Sequence, residues 1–273
     1  MIGSSKVWLP VQDVTEININ VHKMTSSTTK YKKQLSSKEI SFYGLLQNDS
    51  NFDCILFPEK VEENVGYFPL LGSGNLLGND KKYYVLAVQA IAKFHYFIRT
   101  LPISFIEVDK DYYARSLKNA LDYASDQNIE LPTQQINELR DSLKLIGDNF
   151  QLIHDDFLPQ NVIIDHDNVR IIDWEDMRYG FAEHDAGRFL GDLNNKKPRW
   201  NKNYYPLVWR DSLIDTYLQS RSQLDPSYDI QLGKRLIRLG EMWNYLGPIE
   251  MCLKRKETKT DWFLENLKAL EYS

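Results

Sequence analysis

The stretch LIHDDFLPQNVIIDHDNVRIIDWED, residues 152–176, places nine acidic or imidazole side chains between short apolar runs. Burying charge is unfavourable unless a partner or a ligand compensates for the lost hydration. The segments VII, residues 162–164, and VRII, residues 169–172, predict two strands, and the DHDN between them predicts the turn of a hairpin. The polar segments before and after the hairpin should therefore meet at one end of it.

The spacing of polar residues in this stretch is typical of phosphoryl transfer. His154, Asp156 and Asn161 fit H-x-D-x-x-x-x-N, and Asp173 follows twelve residues after Asn161. Phosphoryl transfer has a loose transition state, so positioning and charge neutralisation dominate over covalent chemistry. We expect Asp156 to accept or orient the proton of an attacking hydroxyl. Asn161 and Asp173 are expected to hold Mg²⁺, a hard ion that prefers oxygen ligands.

Composition indicates a globular protein and argues against several other classes. The 273 residues are 42% hydrophobic and 26% charged, as in ordinary soluble domains. A net charge of -5 disfavours a nucleic-acid partner, and two lone cysteines suggest neither a disulfide framework nor a zinc site. No signal peptide and no apolar run of about 20 residues is recognisable. We expect a cytoplasmic monomer or homodimer with no membrane partner.

The first part of the chain has the pattern of a small sheet with one helix. EININVHKM, residues 16–24, alternates apolar and polar residues, and continuing the alternation puts Lys23 on the apolar face. MTSSTTKYKK, residues 24–33, predicts a polar loop with its lysines in solvent. SSKEISFYGLL, residues 36–46, predicts a helix with a serine as its N-cap.

Beyond a glycine-rich segment at residues 72–78, the period becomes helical. The residues of one stripe are Tyr84, Val88, Ile91, His95 and Ile98. A second stripe over 136–146 ends at Gly147, in the position of a helix C-cap, and the last ~80 residues are again helical in pattern. These patterns predict an α+β fold, with a small sheet-plus-helix lobe over 1–68 and a larger, mainly helical lobe over 69–273.

The central stretch resembles a known family. IHDDFLPQNVII and IIDWED resemble the catalytic and metal-binding loops of the aminoglycoside phosphotransferase and choline kinase superfamily, where the pattern commonly reads H-G-D-x-x-x-x-N and then I-D-W/F-E/D. The resemblance is strong over residues 150–190. It implies a bilobal, protein-kinase-like fold with a nucleotide-binding N-terminal lobe, ATP or GTP as phosphoryl donor, and Mg²⁺.

The resemblance also implies roles for residues outside the two loops. SKEISFYGLL resembles the family's first N-lobe helix, whose glutamate pairs with a strand lysine, which implies Glu39 and Lys23. FAEHDAGRFL resembles the segment in which an aspartate braces the catalytic loop, here Asp185. His154 is expected to play a structural part, and Glu175 could support metal or substrate.

Two departures from the family pattern stand out. Asp155 occupies the position of the usual glycine, which implies a stiffer loop or an extra charge near the substrate. The N-terminal segment also has no G-x-G-x-x-G, and only about sixteen residues precede the strand that carries Lys23.

Three functions are compatible with these patterns. The first is a small-molecule kinase acting on a hydroxyl of an aminoglycoside antibiotic or another amine-bearing metabolite, because the C-terminal segment combines tryptophans with acidic residues. These residues are Trp200, Trp209, Trp243, Trp262, Asp211, Asp215, Glu241 and Glu250. The second is a metal-dependent phosphohydrolase, suggested by the HD pairs at 154–155 and 184–185. The third is a non-catalytic kinase-like protein that binds a small molecule or a partner.

Overall fold

The computed structural model describes residues 30–69, 71, 74–77, 79–147, 150–193, 209–255 and 260–269. The helices of this part of the chain are α1 Ser37–Leu46, α2 Lys81–Ile98, α3 Tyr112–Asp126, α4 Thr133–Ile146, α5 Glu183–Leu193, α6 Arg210–Leu224, α7 Ile230–Arg255 and α8 Thr260–Ala269. The strands are β1 Lys30–Gln34, β2 Lys60–Glu62, β3 Val65–Pro69, β4 Gln151–Ile153, β5 Val162–Asp165, β6 Asn168–Ile171 and β7 Arg178–Gly180.

In the described part of the first lobe, three antiparallel strands form a sheet in the order β1-β3-β2, and α1 follows β1 along the chain. Strands β2 and β3 are joined by a tight turn in which Glu63 and Asn64 both have positive φ, as a twisted two-residue hairpin requires. In β1, Lys33 pairs with Gly66 of β3. The sheet thus carries Lys33 on β1, directly before the start of α1.

The predicted hairpin is formed by β5 and β6, with Val162 opposite Ile171. It is fastened to the first lobe, because Ile171 N donates to Cys54 O at 2.7 Å and Leu56 N donates to Ile171 O at 3.1 Å. The open end of the hairpin, where β5 begins and β6 ends, therefore lies against the lobe that carries β1 and α1.

An aromatic core joins the two lobes beside this open end. The Trp174 ring lies 4.6 Å from the Phe42 ring of α1 and 4.7 Å from the Phe94 ring of α2, measured between centroids. All three side chains are fully buried. Burial of large aromatic surfaces gives this region much of its stability and fixes the segment that follows β6.

A second hydrophobic cluster involves α3, α4, α7 and α8, and α5 packs closely on α7. The close approach of these two helices depends on glycine. A Cβ at Gly240 of α7 would lie 2.9 Å from Glu183 O and 3.0 Å from His184 Cα, which is tighter than real contacts. The absence of a side chain at Gly240 lets the first turn of α5 rest directly on the backbone of α7.

The two-lobed α+β arrangement predicted from the sequence is confirmed, as are the hairpin, the buried stripe of α2 and the cap at Gly147. The predicted strand over 16–24 lies outside the described residues. The prediction of a polar loop over residues 24–33 was wrong at its end, because β1 begins at Lys30 and Lys33 is buried rather than solvated. Among helices of the described residues, none has the length and apolar character needed to cross a bilayer.

Candidate active site

A buried lysine connects α1 with the segment after β6. Lys33 Nζ lies 2.7 Å from Glu39 Oε1, and it also donates a hydrogen bond to Asp173 Oδ1. Lys33 is 9% exposed and Glu39 is 1% exposed. Burial alone lowers the pKa of Lys33, but the attraction of Asp173 and Glu39 outweighs it and raises the pKa above its ordinary value. Lys33 is therefore a charged ammonium held by two carboxylates.

Glu39 is placed by the local structure at the start of α1. Ser36 caps the helix by accepting from Glu39 N at 3.3 Å, while Glu39 Oε2 accepts from Ser36 N at 2.9 Å. This reciprocal capping box satisfies free N–H groups at the helix start. Because Oε2 is used in the cap, Oε1 is left for Lys33, so one side chain both starts the helix and holds the lysine.

The lysine partner of Glu39 differs from the sequence prediction. Lys23, predicted for this role, lies outside the described residues, and Lys33 makes the pair. A sequence signal for Lys33 existed. Lys33 and Leu35 share one face of an extended segment, and both are buried because that face packs inward just before the Ser36 cap. The high polarity of residues 24–33 concealed this alternation.

The loop between β4 and β5 holds Asp156 close to Asn161. Asn161 Nδ2 donates to Asp156 Oδ2 at 2.9 Å and to the Asp156 backbone oxygen at 2.8 Å. Arg188 of α5 donates through Nη2 to Asp156 Oδ1 at 2.7 Å. These donors order the Asp156 carboxylate. Because the carboxylate is also partly exposed, a ligand can reach it.

Asn161 and Asp173 fit the donor set of a magnesium site. Ile172 N donates to Asn161 O at 3.0 Å, which places Asp173 beside Asn161 at the open end of the hairpin. The amide nitrogen of Asn161 is used on Asp156, so its oxygen is turned away from that residue. Within the described ranges, no three His, Cys, Asp or Glu side chains form a protein-only metal cage. Mg²⁺ typically uses one or two protein oxygens with water and phosphate, so this donor set suits it.

His154 has a structural role in the loop. Its Nε2 donates to Ile172 O at 2.8 Å, and its Nδ1 accepts from Asp156 N at 3.2 Å. The ring is fully buried, and the two contacts use both of its nitrogens. His154 therefore links the loop between β4 and β5 to the residue after β6. It has no ring nitrogen left for a metal, which argues against the phosphohydrolase hypothesis.

Asp185 holds the backbone of the same loop. Its Oδ2 accepts from His154 N at 2.8 Å and its Oδ1 accepts from Asp155 N at 2.8 Å. His95 Nε2 donates to Oδ2 at 2.9 Å. Burial raises the pKa of the Asp185 carboxyl, but the hydrogen bond and charge of His95 outweigh this and lower it. Asp185 is therefore a buried, ionised carboxylate that holds the backbone N–H groups of residues 154 and 155.

Asp155 does not add a free charge to the site. Its carboxylate points to Arg178 Nη2 at 2.7 Å and lies 3.1 Å from His184 Nε2. Burial raises the pKa of Asp155, but Arg178 and His184 overcome this and hold it well below the usual range. The backbone of Asp155 has φ 63°, a left-handed conformation that favours glycine and is also tolerated by aspartate. This explains how aspartate replaces the glycine of the family pattern.

Glu175 lies 3.5 Å from Lys33 Nζ through its Oε2 and is partly exposed, so it adds a third carboxylate around the ammonium. Sequence reasoning missed Lys33, Arg178 and Arg188, and it considered His184 only as part of an HD pair. Arg178, His184 and Arg188 contact Asp155 or Asp156 across 23 to 32 positions of sequence, and a single sequence gives no signal for such pairs.

The predicted acidic and aromatic acceptor surface is only partly available. Glu241 is buried and accepts from Arg210 Nε at 2.8 Å and Nη2 at 2.6 Å, so it cannot meet an external cation. Trp243 is a core residue, whereas Asp211 and Asp215 are exposed. Trp200 and the side chains of Trp262 and Glu250 lie outside the described parts of the structure.

Comparison with known proteins identifies the family. The model of the phosphotransferase enzyme family, APH, matches residues 71–229, which is more than half of the chain. The match includes Asp156, Asn161 and Asp173. No curated protein matches the chain in sequence.

Solved structures with low sequence identity share the fold. A putative aminoglycoside phosphotransferase from Ralstonia eutropha has a TM-score of 0.59 at 12% identity, over 90% of this chain and 85% of that one. An ethanolamine kinase from Plasmodium vivax has a TM-score of 0.59 at 10% identity, over 88% of this chain and 75% of that one. Aminoglycoside phosphotransferase APH(2'')-Ib with ADP bound has a TM-score of 0.51 at 13% identity, over 92% of this chain and 93% of that one. The chain thus has the bilobal kinase-like fold and belongs to the phosphotransferase enzyme family.

Proposed function

We propose that this protein transfers the γ-phosphoryl group of ATP or GTP to a hydroxyl of an amine-bearing small molecule, such as an aminoglycoside antibiotic or a related metabolite. In this proposal residues 1–68 form the nucleotide-binding lobe and residues 69–273 the catalytic and acceptor-binding lobe. The protein acts in the cytoplasm with Mg²⁺ as its metal.

One observation carries the proposal: groups suited to a nucleotide, a metal and a hydroxyl converge at the open end of the hairpin. Lys33 supplies a buried positive charge, bound to Glu39 and Asp173. Asn161 supplies an amide oxygen beside Asp173, and Asp156 supplies an ordered carboxylate. Phosphoryl transfer needs these parts in one place, and a purely structural hairpin needs none of them.

Each residue has a defined task in the proposed reaction. Lys33 neutralises charge on the nucleotide phosphates, and Glu39 keeps its ammonium in place. Asp156 accepts the hydrogen bond of the acceptor hydroxyl and orients its oxygen toward the transferred group. Asn161 and Asp173 would hold Mg²⁺, which when bound neutralises the phosphate oxygens as charge develops on them. Asp185 and His154 hold the backbone of the loop between β4 and β5 in place during the reaction.

The acidic residues near the loop suit an amine-bearing acceptor. Burial and the negative charges of Asp156, Glu175 and Asp155 raise the pKa of the Asp176 carboxyl, and the positive charge of Arg188 offsets this only in part. A bound ammonium group would add a second positive charge beside these carboxylates.

A transfer assay tests the proposal. Wild-type protein is incubated with Mg²⁺ and γ-labelled ATP or GTP, and with gentamicin, streptomycin, choline or ethanolamine as acceptor. Asp173→Asn is the matched variant, and it is expected to lose Mg²⁺-dependent nucleotide binding. Labelled product from at least one acceptor supports the kinase. Nucleotide binding without transfer to any acceptor would favour the non-catalytic alternative, and release of phosphate from phosphate esters without ATP would favour a phosphohydrolase.

A further inference from the structure

Helix α5 brings an arginine to the candidate catalytic carboxylate. Arg188 Nη2 donates to Asp156 Oδ1 at 2.7 Å, between side chains that are 22% and 27% exposed. We propose that Arg188 is a positioning residue for phosphoryl transfer, which fixes the rotation of the Asp156 carboxylate so that it can receive the acceptor hydroxyl. This inference rests on the function proposed above.

The carboxylate of Asp156 is held from two sides. Asn161 Nδ2 donates to Oδ2 at 2.9 Å, and Arg188 donates to Oδ1. The terminal torsion of an aspartate is broad, so one hydrogen bond leaves the carboxylate free to swing. Two donors on different oxygens fix its plane. Each oxygen still has a lone pair, so the acceptor hydroxyl can bind without displacing either donor.

Arg188 does more than a neutral donor could. Its guanidinium stabilises the negative charge of Asp156, and Asp155 and Asp176 also lie within range of that positive charge. Without Arg188, the carboxylates of Asp156 and Asp176 would repel each other with no positive charge of α5 between them. The arginine therefore keeps the hydroxyl-binding carboxylate in place where like charges would push it away.

The helix that carries Arg188 is itself rigidly placed. Asp185, three residues earlier, accepts from the backbone of residues 154 and 155, and Gly187 packs against the backbone of α7 at Glu241 N. One helix therefore sets the backbone of the loop through Asp185 and the side chain of the loop through Arg188. Precise placement of a reacting group from a rigid element is a general requirement of such sites.

Steady-state kinetics test the role. Arg188→Gln is compared with wild type, using the best acceptor from the panel above, and Arg188→Lys restores a charge. Arg170→Gln is the matched control, because Arg170 pairs with Asp165 at 3.0 Å with similar exposure but at the turn end of the hairpin. We expect kcat of Arg188→Gln to fall about 100-fold, the effect of a misplaced group. Binding of Mg-ADP should stay within about twofold of wild type, Arg188→Lys should recover part of kcat, and Arg170→Gln should match wild type.

A double-variant cycle separates positioning from other roles. In the Asp156→Asn background, Arg188→Gln should lower single-turnover transfer by less than about twofold, because its effect passes through Asp156. A full effect in that background would mean that Arg188 acts on the substrate or through stability, and the inference would be overturned. Should Arg188→Gln fail to fold, Arg188→Lys is used in the same cycle.

Failure of the inference and failure of the proposed function give different results. If wild type transfers phosphate and both Arg188 variants match it, the positioning role is wrong and the kinase stands. If wild type transfers no phosphate to any acceptor, the kinase is wrong, and the role of Arg188 falls with it.

Discussion

Replacement of Lys33 by methionine should lower the free energy of unfolding much more than the same replacement of its neighbour Lys32. Lys33→Met keeps the apolar stem but leaves the carboxylates of Glu39 and Asp173 buried without a cation. Removing one partner of a buried ion pair typically costs about 3–5 kcal/mol of stability. Because methionine fills the space of the lysine stem, we expect a loss of about 3 kcal/mol. For a chain of this size that is roughly 6 °C in Tm.

The matched control is Lys32→Met. Lys32 is on the opposite face of β1 and is half-buried, with its Nζ 5.1 Å from the Tyr67 ring centroid, a contact worth about 0.5–1 kcal/mol. Urea unfolding followed by circular dichroism gives both free energies of unfolding. Adding Glu39→Gln to Lys33→Met should restore about 1 kcal/mol, since one uncompensated charge is removed. If Lys33→Met is as stable as Lys32→Met, or if Glu39→Gln lowers stability further, the buried charge cluster described here is wrong.

Two further substitutions test the contacts that support the loop between β4 and β5. Asp155→Gly should lower Tm at pH 7, because Arg178 is left buried without its partner. Since the folded-state pKa of Asp155 is depressed, its stabilisation is present above about pH 4 and is lost as pH falls further, so the variant should lose less stability than wild type on acidification from pH 4 to 2. Identical acid profiles would contradict this. Gly240→Ala should cost about 1–3 kcal/mol and lower turnover, because its Cβ would press on Glu183 O at 2.9 Å and displace α5. Gly247→Ala, in the same helix with open space around it, should be neutral or slightly stabilising, and equal effects at the two glycines would refute the packing argument.

Local patterns predicted the parts of the fold that depend on short-range interactions. The Ser36 cap, the stripe of α2 and the hairpin at 162–171 follow from residues within a few positions of one another. The spacing of Asp156, Asn161 and Asp173 predicted that they would meet, because a hairpin brings its two ends together whatever the rest of the chain does.

Contacts between distant segments could not be predicted in the same way. Lys33 meets Asp173 across 140 positions, and Arg188 meets Asp156 across 32. Lysine and arginine on polar segments are most often solvated, so the composition of residues 24–33 predicted wrongly that Lys33 would be exposed. Its burial becomes understandable only when Glu39 and Asp173 are both in place, because their charges compensate for its lost hydration.

Single-turnover transfer by Asp156→Asn, with Mg-ADP binding measured on the same preparation, tests the central claim most directly. The claim is that Asp156 orients the acceptor hydroxyl at a nucleotide site built by Lys33, Asn161 and Asp173. We predict that transfer falls about 1,000-fold, within the range for loss of a catalytic acid or base, while Mg-ADP affinity stays within about twofold of wild type. Transfer within tenfold of wild type would contradict the account.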